Sequence, residues 1–296
     1  METEEAERVF DEYADAYRAY WGPIIAPAAM RVLDRVLMRH EDTAFDLLDV
    51  GTGTGVLALA ALERWPNARV TGVDPSARML EQAADAGRRR WSTLPRRLNL
   101  KTASADKLPL PDQSVDVAVS SFVIQLVPSR PAALREIIRV LRPGGQFACV
   151  TWQDERLGFE PEEVFGDAID ELGIKPPEDD RDVHPYVSVR AAADEFRRAG
   201  FRNVRARPDS LEHRFTPESY LAVLEHWIER ELFAVQGRRA GLRLREVTLR
   251  KLRRLRPEEF VWRRPLVSLV AVKPDPPHAL VAFLESSAST LSDGAK

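Results

Sequence analysis

Three glycines follow an aspartate in the stretch LLDVGTGTGVLALA, which runs from Leu47 to Ala60. The apolar residues ahead of the aspartate are typical of a buried strand, and the small apolar residues after the glycines follow a helical pattern. Glycine adopts positive φ angles and lets the backbone approach a ligand without a Cβ clash. A strand, a glycine turn and a helix in this order predict a site where a nucleotide-like ligand contacts backbone amides.

The spacing of the glycines narrows the class of ligand. A phosphate-binding loop needs Gly-Lys-Ser/Thr at its end, whereas Gly55 is followed by Val56 and Leu57. The dinucleotide pattern G-x-G-x-x-G needs a glycine at the position of Val56. The carboxylate of Asp49 would repel a pyrophosphate and suits the ammonium of an amino acid. The turn therefore disfavours NAD and FAD, and favours a ligand with a zwitterionic amino-acid group.

Three further stretches lie at matching distances along the chain. VTGVDPS places Asp74 at the end of the next predicted strand, 23 residues after Gly51, where a carboxylate can accept both hydroxyls of a ribose. SADKLPLPDQSVDVAVSSF and REIIRVLRPGGQFACVTW follow. With the glycine turn, they resemble the class I S-adenosylmethionine-dependent methyltransferases, most closely the small-molecule group similar to enzymes of ubiquinone and menaquinone biosynthesis. The resemblance is strong over residues 45–152 and moderate over 186–212.

The resemblance implies S-adenosylmethionine as the cofactor and a small organic molecule, modified at O or C, as the methyl acceptor. It implies that the turn from Asp49 onward holds the amino-acid end of the cofactor, that Asp74 holds the ribose and that Asp106 meets the adenine. The implied cofactor contacts are Tyr13, Tyr17, Asp49, Gly51, Thr52, Gly53, Gly55, Asp74, Pro75, Met79, Ala105, Asp106, Ser121 and Phe122. A structural role stays open, because the three aspartates also suit turn or helix caps and Met79 also suits the core.

Aromatic residues recur at helical spacing near the N-terminus. They are Phe10, Tyr13, Tyr17, Tyr20 and Trp21. The spacing alone fits core packing, whereas FDEYADAYRAYW resembles the N-terminal signature of the family. That resemblance implies a lid in which Tyr13 or Tyr17 closes over the cofactor and shields the reaction from water.

The resemblance places the acceptor over the end of the fourth strand, VSSFVIQLV, so Ser120, Ser121, Phe122 and Gln125 are expected to border it. The stretch lacks the Asn/Asp-Pro-Pro-aromatic motif of enzymes that methylate adenine amino groups. No carboxylates cluster after it as a catechol-type magnesium site would need, and we predict no metal. Cys149 lies in an apolar strand pattern, which favours a buried structural thiol over the nucleophile of a cytosine-C5 enzyme.

A histidine is the natural candidate for a general base, because it titrates near neutral pH. His184, His213 and His226 lie in the region where the family places substrate contacts. Among them we select His184, in RDVHPYV beside Tyr186, as the catalytic candidate. A surface or core position for each histidine stays open.

Strand and helix patterns alternate along the chain, which predicts right-handed crossovers and a parallel sheet covered on both faces. Strands are predicted at 45–50, 69–73, 98–102, 115–120, 146–151, 202–213 and 265–272. Helices are predicted at 55–65, 76–90, 130–141, 161–172 and 188–199, and over most of 216–256. The resemblance adds the fold class, an α/β doubly wound, seven-stranded, mostly parallel sheet of Rossmann-like methyltransferase topology with a helical cap and an antiparallel last strand.

The changes in pattern divide the chain into five parts. We predict an N-terminal helical lid at 1–40, the cofactor-binding core at 41–152, an insertion or cap at 153–185, the remainder of the core at 186–273 with a helical cap segment at 216–256, and a loosely held tail at 274–296.

Composition sets limits on partners and location. The 296-residue chain has a net charge of −3, so it has no overall attraction to nucleic acid or anionic membranes. A single cysteine excludes an intramolecular disulfide. The acidic N-terminus lacks a signal-peptide pattern, and no apolar run approaches the ~20 residues that span a bilayer, so we expect a cytoplasmic protein. The oligomeric state is left open.

One segment keeps a different substrate class open. Residues 238–264 contain eleven Arg or Lys against three Glu. We favour an amphipathic helix with Leu242, Val247, Leu249, Leu252 and Leu255 as apolar contacts and solvated arginines. The competing hypothesis is an RNA methyltransferase that uses arginine patches, including 87–97. A regulatory protein that binds S-adenosylmethionine without turnover also stays open, and so does a nicotinamide oxidoreductase, although Val56 disfavours it.

Overall fold

The computed structural model describes residues 3–36, 43–155, 157–175 and 183–275, which form one seven-stranded sheet with helices around it. The strands are β1 (Phe45–Val50), β2 (Ala68–Asp74), β3 (Leu98–Thr102), β4 (Val115–Ser121), β5 (Leu141–Trp152), β6 (Arg202–Arg214) and β7 (Val261–Val272). All seven predicted strands are present. β5 and β7 begin earlier than predicted, because their first residues also pair with neighbouring strands.

The strand order is β3-β2-β1-β4-β5-β7-β6. The first five strands in this order are parallel, and β7 runs antiparallel to both β5 and β6. The sheet is therefore mostly parallel with an antiparallel last strand, as predicted. The connections from β1 and from β3 lead to opposite sides of β1, which opens a crevice at the carboxyl ends of β1 and β4.

Helices cover both faces of the sheet. They are α3 (Val56–Arg64), α4 (Ala77–Trp91), α5 (Arg130–Val140), α6 (Glu160–Glu171) and α7 (Val189–Arg198). Serine side chains cap the starts of α4, α5 and α7, in each case by accepting a hydrogen bond from a backbone N–H of the first turn. Alternate residues of β4 join opposite cores, since Val117 and Val119 belong to one cluster and Ala118 to the other. Burial on both faces confirms the doubly wound prediction.

The N-terminal segment consists of α1 (Thr3–Ala16), a π-helical turn (Tyr17–Trp21), α2 (Gly22–Met30) and a 3₁₀ turn (Leu33–Arg35). α1 is kinked at Tyr13, where φ is −110°. Ile24 and Ile25 of α2 are buried in the same core cluster as the first residue of β1, so this segment is packed onto the sheet domain.

A second group of helices precedes β7. It consists of α8 (Pro217–Val223), a π-helical turn (Leu224–Ile228), α9 (Arg230–Val235), α10 (Gly237–Leu252) and a 3₁₀ turn (Pro257–Phe260). Leu244, Val247 and Leu252 of α10 are buried, whereas Leu242 is 60% exposed. The predicted apolar contact from Leu242 is therefore wrong. The buried residues of a helix recur every three or four positions and form one apolar stripe. Leu242 is only two positions before Leu244, so it points away from that stripe.

Three further expectations concern single features. Cys149 is fully buried in β5, as predicted, and burial raises the pKa of its thiol. In the described part of the chain, no helix is both long enough and apolar enough to cross a bilayer. The predicted tail at 274–296 lies outside the described residues except for its first two positions.

Candidate functional site

The glycine turn joins β1 to α3, and its three glycines all have positive φ, at +70°, +52° and +85°. A Cβ on Gly51 would stand 2.2 Å from a methyl of Val123, and a Cβ on Gly55 would stand 2.9 Å from the Cβ of Ala83. A Cβ on Gly53 would meet nothing within 4 Å. The first and third glycines are thus needed for packing, whereas the middle one presents bare backbone to open space, as a ligand cradle requires.

Asp49 lies beneath this turn and is almost fully buried. Its Oδ2 accepts hydrogen bonds from Thr52 Oγ1 at 2.7 Å and from the backbone N–H of Ala58 at 3.1 Å. Burial raises the pKa of Asp49 to about 7, although these two bonds act in the opposite direction. Asp49 therefore performs the capping role that the sequence left open, and its direct contact with a ligand stays a prediction.

Asp74 lies at the carboxyl end of β2 and links the turn to α4. Its Oδ2 accepts from the backbone N–H of Gly53 at 2.8 Å, and its Oδ1 accepts from the backbone N–H of Ser76 at 3.0 Å. Burial raises its pKa to about 6. Ser76 rather than Asp74 caps α4, by accepting from the N–H of Met79. A carboxylate oxygen has more than one lone-pair site, so Asp74 keeps acceptor capacity for further hydroxyl donors.

The end of β4 forms the neighbouring wall. Phe122 has a φ of +56°, which is uncommon for a residue with a Cβ and costs about 1 kcal/mol or more. Gln125 holds this conformation, because its Nε2 donates to the carbonyl oxygen of Phe122 at 2.6 Å and its Oε1 accepts from Thr151. The turn aims the ring of Phe122 at Trp152, with the ring centroids 4.6 Å apart.

These elements enclose a cavity of about 550 Å³, here called the turn chamber. Nine predicted cofactor residues line it: Tyr17, Gly51, Gly53, Asp74, Pro75, Met79, Ala105, Ser121 and Phe122. Five others lie outside its wall: Tyr13, Asp49, Thr52, Gly55 and Asp106. The carboxylate of Asp106 accepts from the hydroxyl of Ser104, which itself lines the chamber. Of the residues expected to border the acceptor, Gln125 lines the chamber, whereas Ser120 is buried behind it and donates to the carbonyl of Val50.

The N-terminal helix α1 covers the turn chamber. Its Asp11 accepts hydrogen bonds from the hydroxyl of Ser76 and from the backbone N–H of Arg78, at the start of α4. Arg78 also pairs with Asp15, one turn further along α1. A carboxylate at a helix N-terminus is favourable, because the first backbone N–H groups lack partners within the helix. These contacts pack α1 against the residues that follow Asp74, and its action as a lid stays a prediction.

Two tyrosines of the predicted lid take different positions. The ring of Tyr17 lines the turn chamber, and the pKa of its phenol is raised by burial and by the nearby charges of Asp74 and Asp49. Tyr13 does not line the chamber, but the centroid of its ring lies 3.7 Å from the guanidinium of Arg230, which does. Tyr17 is therefore the one of the two that lines the chamber, and Tyr13 joins α1 to α9; closure of Tyr17 over a ligand stays a prediction.

A second cavity of about 300 Å³ adjoins the first, and we call it the aromatic chamber. The two chambers share four wall residues: Trp21, Trp152, Val183 and Trp227. The remaining aromatic residues of its wall are Phe159, Phe165, Phe215, Tyr220 and Trp262, and its charged residues are Glu162, Glu229 and Arg264. The ring of Trp227 stacks on Trp21 at 6.5 Å and meets Tyr17 at 5.2 Å, so these rings lie at the boundary between the chambers, which we call the passage.

His184 lies beside this passage without lining either chamber. Its backbone N–H donates to the carbonyl of Gln125 at 2.8 Å, and its carbonyl accepts from Arg130. The side chain is exposed, whereas the adjacent Val183 lines both chambers. His226 stacks on Tyr20 at 4.5 Å, and His213 packs against Phe215. A catalytic role for His184 stays a prediction.

Several residues of the site were not expected from the sequence, and three of them are Trp227, Arg230 and Tyr220. They occur in PESYLAVLEHWIER, which has the pattern of an ordinary helical region. The sequence did contain one signal for them, since large aromatic residues occur in a helical segment that follows the predicted cofactor-binding core. Across the described ranges, no group of three His, Cys, Asp or Glu residues is arranged to hold a metal ion.

The arginine-rich segment is engaged in ion pairs with other parts of the chain. Arg245 pairs with Glu225, Arg250 and Lys251 with Glu171, and Arg253 with Glu218. Each exposed pair stabilises little, but each also places a carboxylate beside the basic group. The segment is thus less available to an anionic partner than its sequence indicates.

Comparisons with known proteins agree with this geometry. A family model described as a methyltransferase domain matches residues 48–149, the stretch from β1 to β5 that contains the glycine turn, Asp74 and Phe122. A demethylmenaquinone methyltransferase of Symbiobacterium thermophilum is 32% identical over 224 residues, which are 72% of this chain and 83% of the relative. A nocamycin O-methyltransferase of Saccharothrix syringae is 33% identical over 218 residues, which are 70% of this chain and 75% of the relative.

The fold also matches solved structures. The crystal structure of the [4+2]-cyclase SpnF superposes with a TM-score of 0.60 at 20% identity, over 93% of this chain and 98% of that one. At this identity the match concerns the fold alone.

Proposed function

The chain belongs to the class I S-adenosylmethionine-dependent methyltransferases, and from that premise we propose that it methylates an O or C atom of a small organic acceptor held under the helical cap. S-adenosylmethionine supplies an electrophilic methyl group on a sulfonium. The chain supplies the alignment of donor and acceptor and the exclusion of water.

The observation that supports this proposal is the pair of adjoining chambers. The turn chamber has the groups that an aminoacyl nucleoside needs: bare backbone at Gly53, a buried carboxylate at Asp74, and the apolar Met79 and Ala105 as surfaces for a flat base. The aromatic chamber is walled mainly by aromatic rings and suits an acceptor with an apolar face. Their shared wall residues set the two chambers side by side, which supports transfer of a methyl group from a donor in one to an acceptor in the other.

Within the turn chamber, we propose that Asp74 accepts the ribose hydroxyls and that the N–H groups of the glycine turn face the amino-acid end. Asp49 supports this end indirectly, by fixing Thr52 and the start of α3. Ser104, hydrogen-bonded to Asp106, lies where the adenine would sit. Tyr17 and Trp227 close the chamber above.

The relatives leave the acceptor atom open. One is named a demethylmenaquinone methyltransferase and another a nocamycin O-methyltransferase, and this chain covers most of the length of both. These names fit an apolar, oxygen-bearing acceptor for this chain, methylated at either carbon or oxygen. Methylation of RNA is disfavoured, because carboxylates pair with much of the arginine-rich segment.

Calorimetry with S-adenosylhomocysteine tests the cofactor half of this proposal. We expect the purified protein to bind S-adenosylhomocysteine and not NAD. Asp74→Ala should weaken S-adenosylhomocysteine binding by about 1–3 kcal/mol, since hydroxyl bonds to a charged acceptor are lost. Asp85→Ala, on the exposed side of α4 where Asp85 pairs with Arg88, is the matched control and should leave the affinity unchanged. Tight binding of NAD alone would refute the assignment.

Labelled S-adenosylmethionine tests the transfer itself. The protein is incubated with cell extracts, and labelled products are identified by mass spectrometry. A labelled small molecule is expected, whereas labelled RNA or a protein that binds the cofactor without any turnover would contradict the proposal.

A further inference from the structure

Tyr220 stands out among the polar side chains of the aromatic chamber. The residue is 4% exposed, yet it lines the chamber wall. Among the described residues, no group hydrogen-bonds to its hydroxyl, and this hydroxyl is not one of the fully enclosed unpartnered polar atoms, so part of its surface stays open. The pKa of the phenol is raised, first by burial and then by the charges of Glu162 and Glu229. Both carboxylates line the chamber together with Tyr220.

The ring of Tyr220 is held in one position. Phe159 packs against it edge-on at 5.2 Å, and Phe215 does so at 5.3 Å. The helix α8 that bears Tyr220 begins with a reciprocal cap, in which Thr216 and Ser219 each bond the backbone of the other. The position of the hydroxyl is therefore fixed by rigid neighbours, as a specific contact with a bound molecule requires.

The Tyr220 O–H has no partner from the described residues and is not among the fully enclosed polar atoms, so it can bond only to water or to a molecule in the chamber. The neighbouring rings offer no acceptor oxygen. The raised pKa keeps the phenol protonated at neutral pH, so the group is a hydrogen-bond donor. A molecule in the aromatic chamber can satisfy this donor if it presents an oxygen with a lone pair.

We propose that Tyr220 is a specificity-determining residue that donates a hydrogen bond to a carbonyl, ether or hydroxyl oxygen on the methyl acceptor. The acceptor is then an uncharged, ring-sized compound whose apolar face lies against Trp152, Trp262 and Phe215. An anionic acceptor is disfavoured, since Glu162 and Glu229 outnumber Arg264 in the wall. This inference rests on the proposed use of the aromatic chamber as the acceptor site.

Two matched probes isolate the oxygen. 1-Tetralone and tetralin share the same bicyclic skeleton, and only the first has a carbonyl. Their binding to the full chain saturated with S-adenosylhomocysteine is followed through the fluorescence of the tryptophans in the wall. We expect the wild type to bind 1-tetralone roughly fivefold more tightly than tetralin, the range of one net hydrogen bond.

Tyr220→Phe removes only the hydroxyl and keeps the ring. We expect this variant to bind both probes equally, with tetralin bound as in the wild type. Tyr186→Phe is the matched control, because Tyr186 is equally buried but lies outside both chambers, and it should keep the preference for 1-tetralone. Thermal unfolding and S-adenosylhomocysteine affinity verify that each variant is folded.

The outcomes separate this inference from the proposed function. A preference for 1-tetralone that persists in Tyr220→Phe, or a wild type that binds neither probe, would overturn the role of Tyr220. Failure of the wild type to bind S-adenosylhomocysteine would instead overturn the cofactor assignment, whatever the probes do.

Discussion

The two adjoining chambers are built on opposite principles. The turn chamber depends on the backbone. Its three glycines have positive φ, and the carboxylates of Asp49 and Asp74 accept hydrogen bonds from backbone N–H groups. The aromatic chamber depends on side chains from distant segments, including Trp21, Trp152 and Trp227. The turn chamber forms when one short stretch of sequence adopts the right backbone conformation. The aromatic chamber forms only after several helices and strands have packed together.

This difference implies different sensitivities to substitution. A backbone turn with positive φ and a close neighbour has almost no freedom, because an added Cβ meets fixed atoms. An aromatic wall can exchange one ring for another of similar volume with a modest loss. The glycine turn should therefore tolerate fewer substitutions than the wall of the aromatic chamber.

The strongest test of the comparison is Gly51→Ala. Its Cβ would stand 2.2 Å from Val123 at a φ of +70°, so we expect a loss of stability of about 3 kcal/mol, as overpacking and a left-handed conformation combine. Urea denaturation measures the loss. Gly166→Ala, in the interior of α6 with open space around it, is the control and should be neutral or slightly stabilising. Equal stabilities of the two variants would refute the rigid-turn account.

The next test addresses the passage between the chambers. Trp227→Ala should lower stability by about 2 kcal/mol, less than for a fully buried ring, because Trp227 is only partly buried. It should also widen the passage and reduce labelled methyl transfer. Trp227→Phe keeps an aromatic ring against Tyr17 and Trp21 and should recover most of both properties. If phenylalanine is no better than alanine, the ring contacts do not form the passage.

The smallest expected effect is on the pH dependence of cofactor affinity. The pKa of Asp74 is raised to about 6, so its carboxyl becomes neutral and a poorer acceptor below that pH. Calorimetry should show S-adenosylhomocysteine binding roughly tenfold weaker at pH 5 than at pH 8. Asp74→Asn should flatten this profile, whereas Asp85→Ala should retain it. If the affinity of the wild type does not change with pH, Asp74 does not bind the cofactor.

The same carboxyls affect the stability of the ligand-free protein. Asp49 and Asp74 have pKa values raised to about 7 and about 6, above those of an unfolded chain. Their contribution to folding is therefore fully present below the unfolded pKa of about 4 and is lost as pH rises through about 6 and 7. Two buried carboxylates thus destabilise the ligand-free turn at neutral pH, as is common where groups are positioned for a ligand.

The sequence predicted the sheet and the turn chamber well, for identifiable reasons. Asp49 and the three glycines occupy one turn, and Asp74 ends the adjacent strand, so parallel pairing of β1 with β2 brings them together. The sequence did not distinguish Asp49 as a cap from Asp49 as a ligand contact, because both roles use the same carboxylate. It also misplaced Leu242, since a helix rich in leucine offers several apolar stripes.

The aromatic chamber could not be predicted from the sequence, for a different reason. Trp227 and Tyr220 lie more than 190 residues from the π-helical turn Tyr17–Trp21, and nothing in their local pattern separates a chamber wall from a packed core. The stretch PESYLAVLEHWIER, which contains both residues, also fits an ordinary amphipathic helix. Only the packing of both segments over β4 and β5 shows which rings face a cavity.

By itself, the sequence determined the strand, turn and helix around the three glycines, the preference for a ligand without phosphate and the family of the enzyme. These properties depend on local backbone geometry and on residues in neighbouring parallel strands, which hydrophobic periodicity and glycine spacing encode directly. The tertiary structure alone decided that Tyr17 lines the turn chamber, that Trp227 stands between two chambers and that Tyr220 lines the second one. These positions depend on tertiary contacts between side chains that are far apart in the sequence, and no local sequence pattern specifies such contacts.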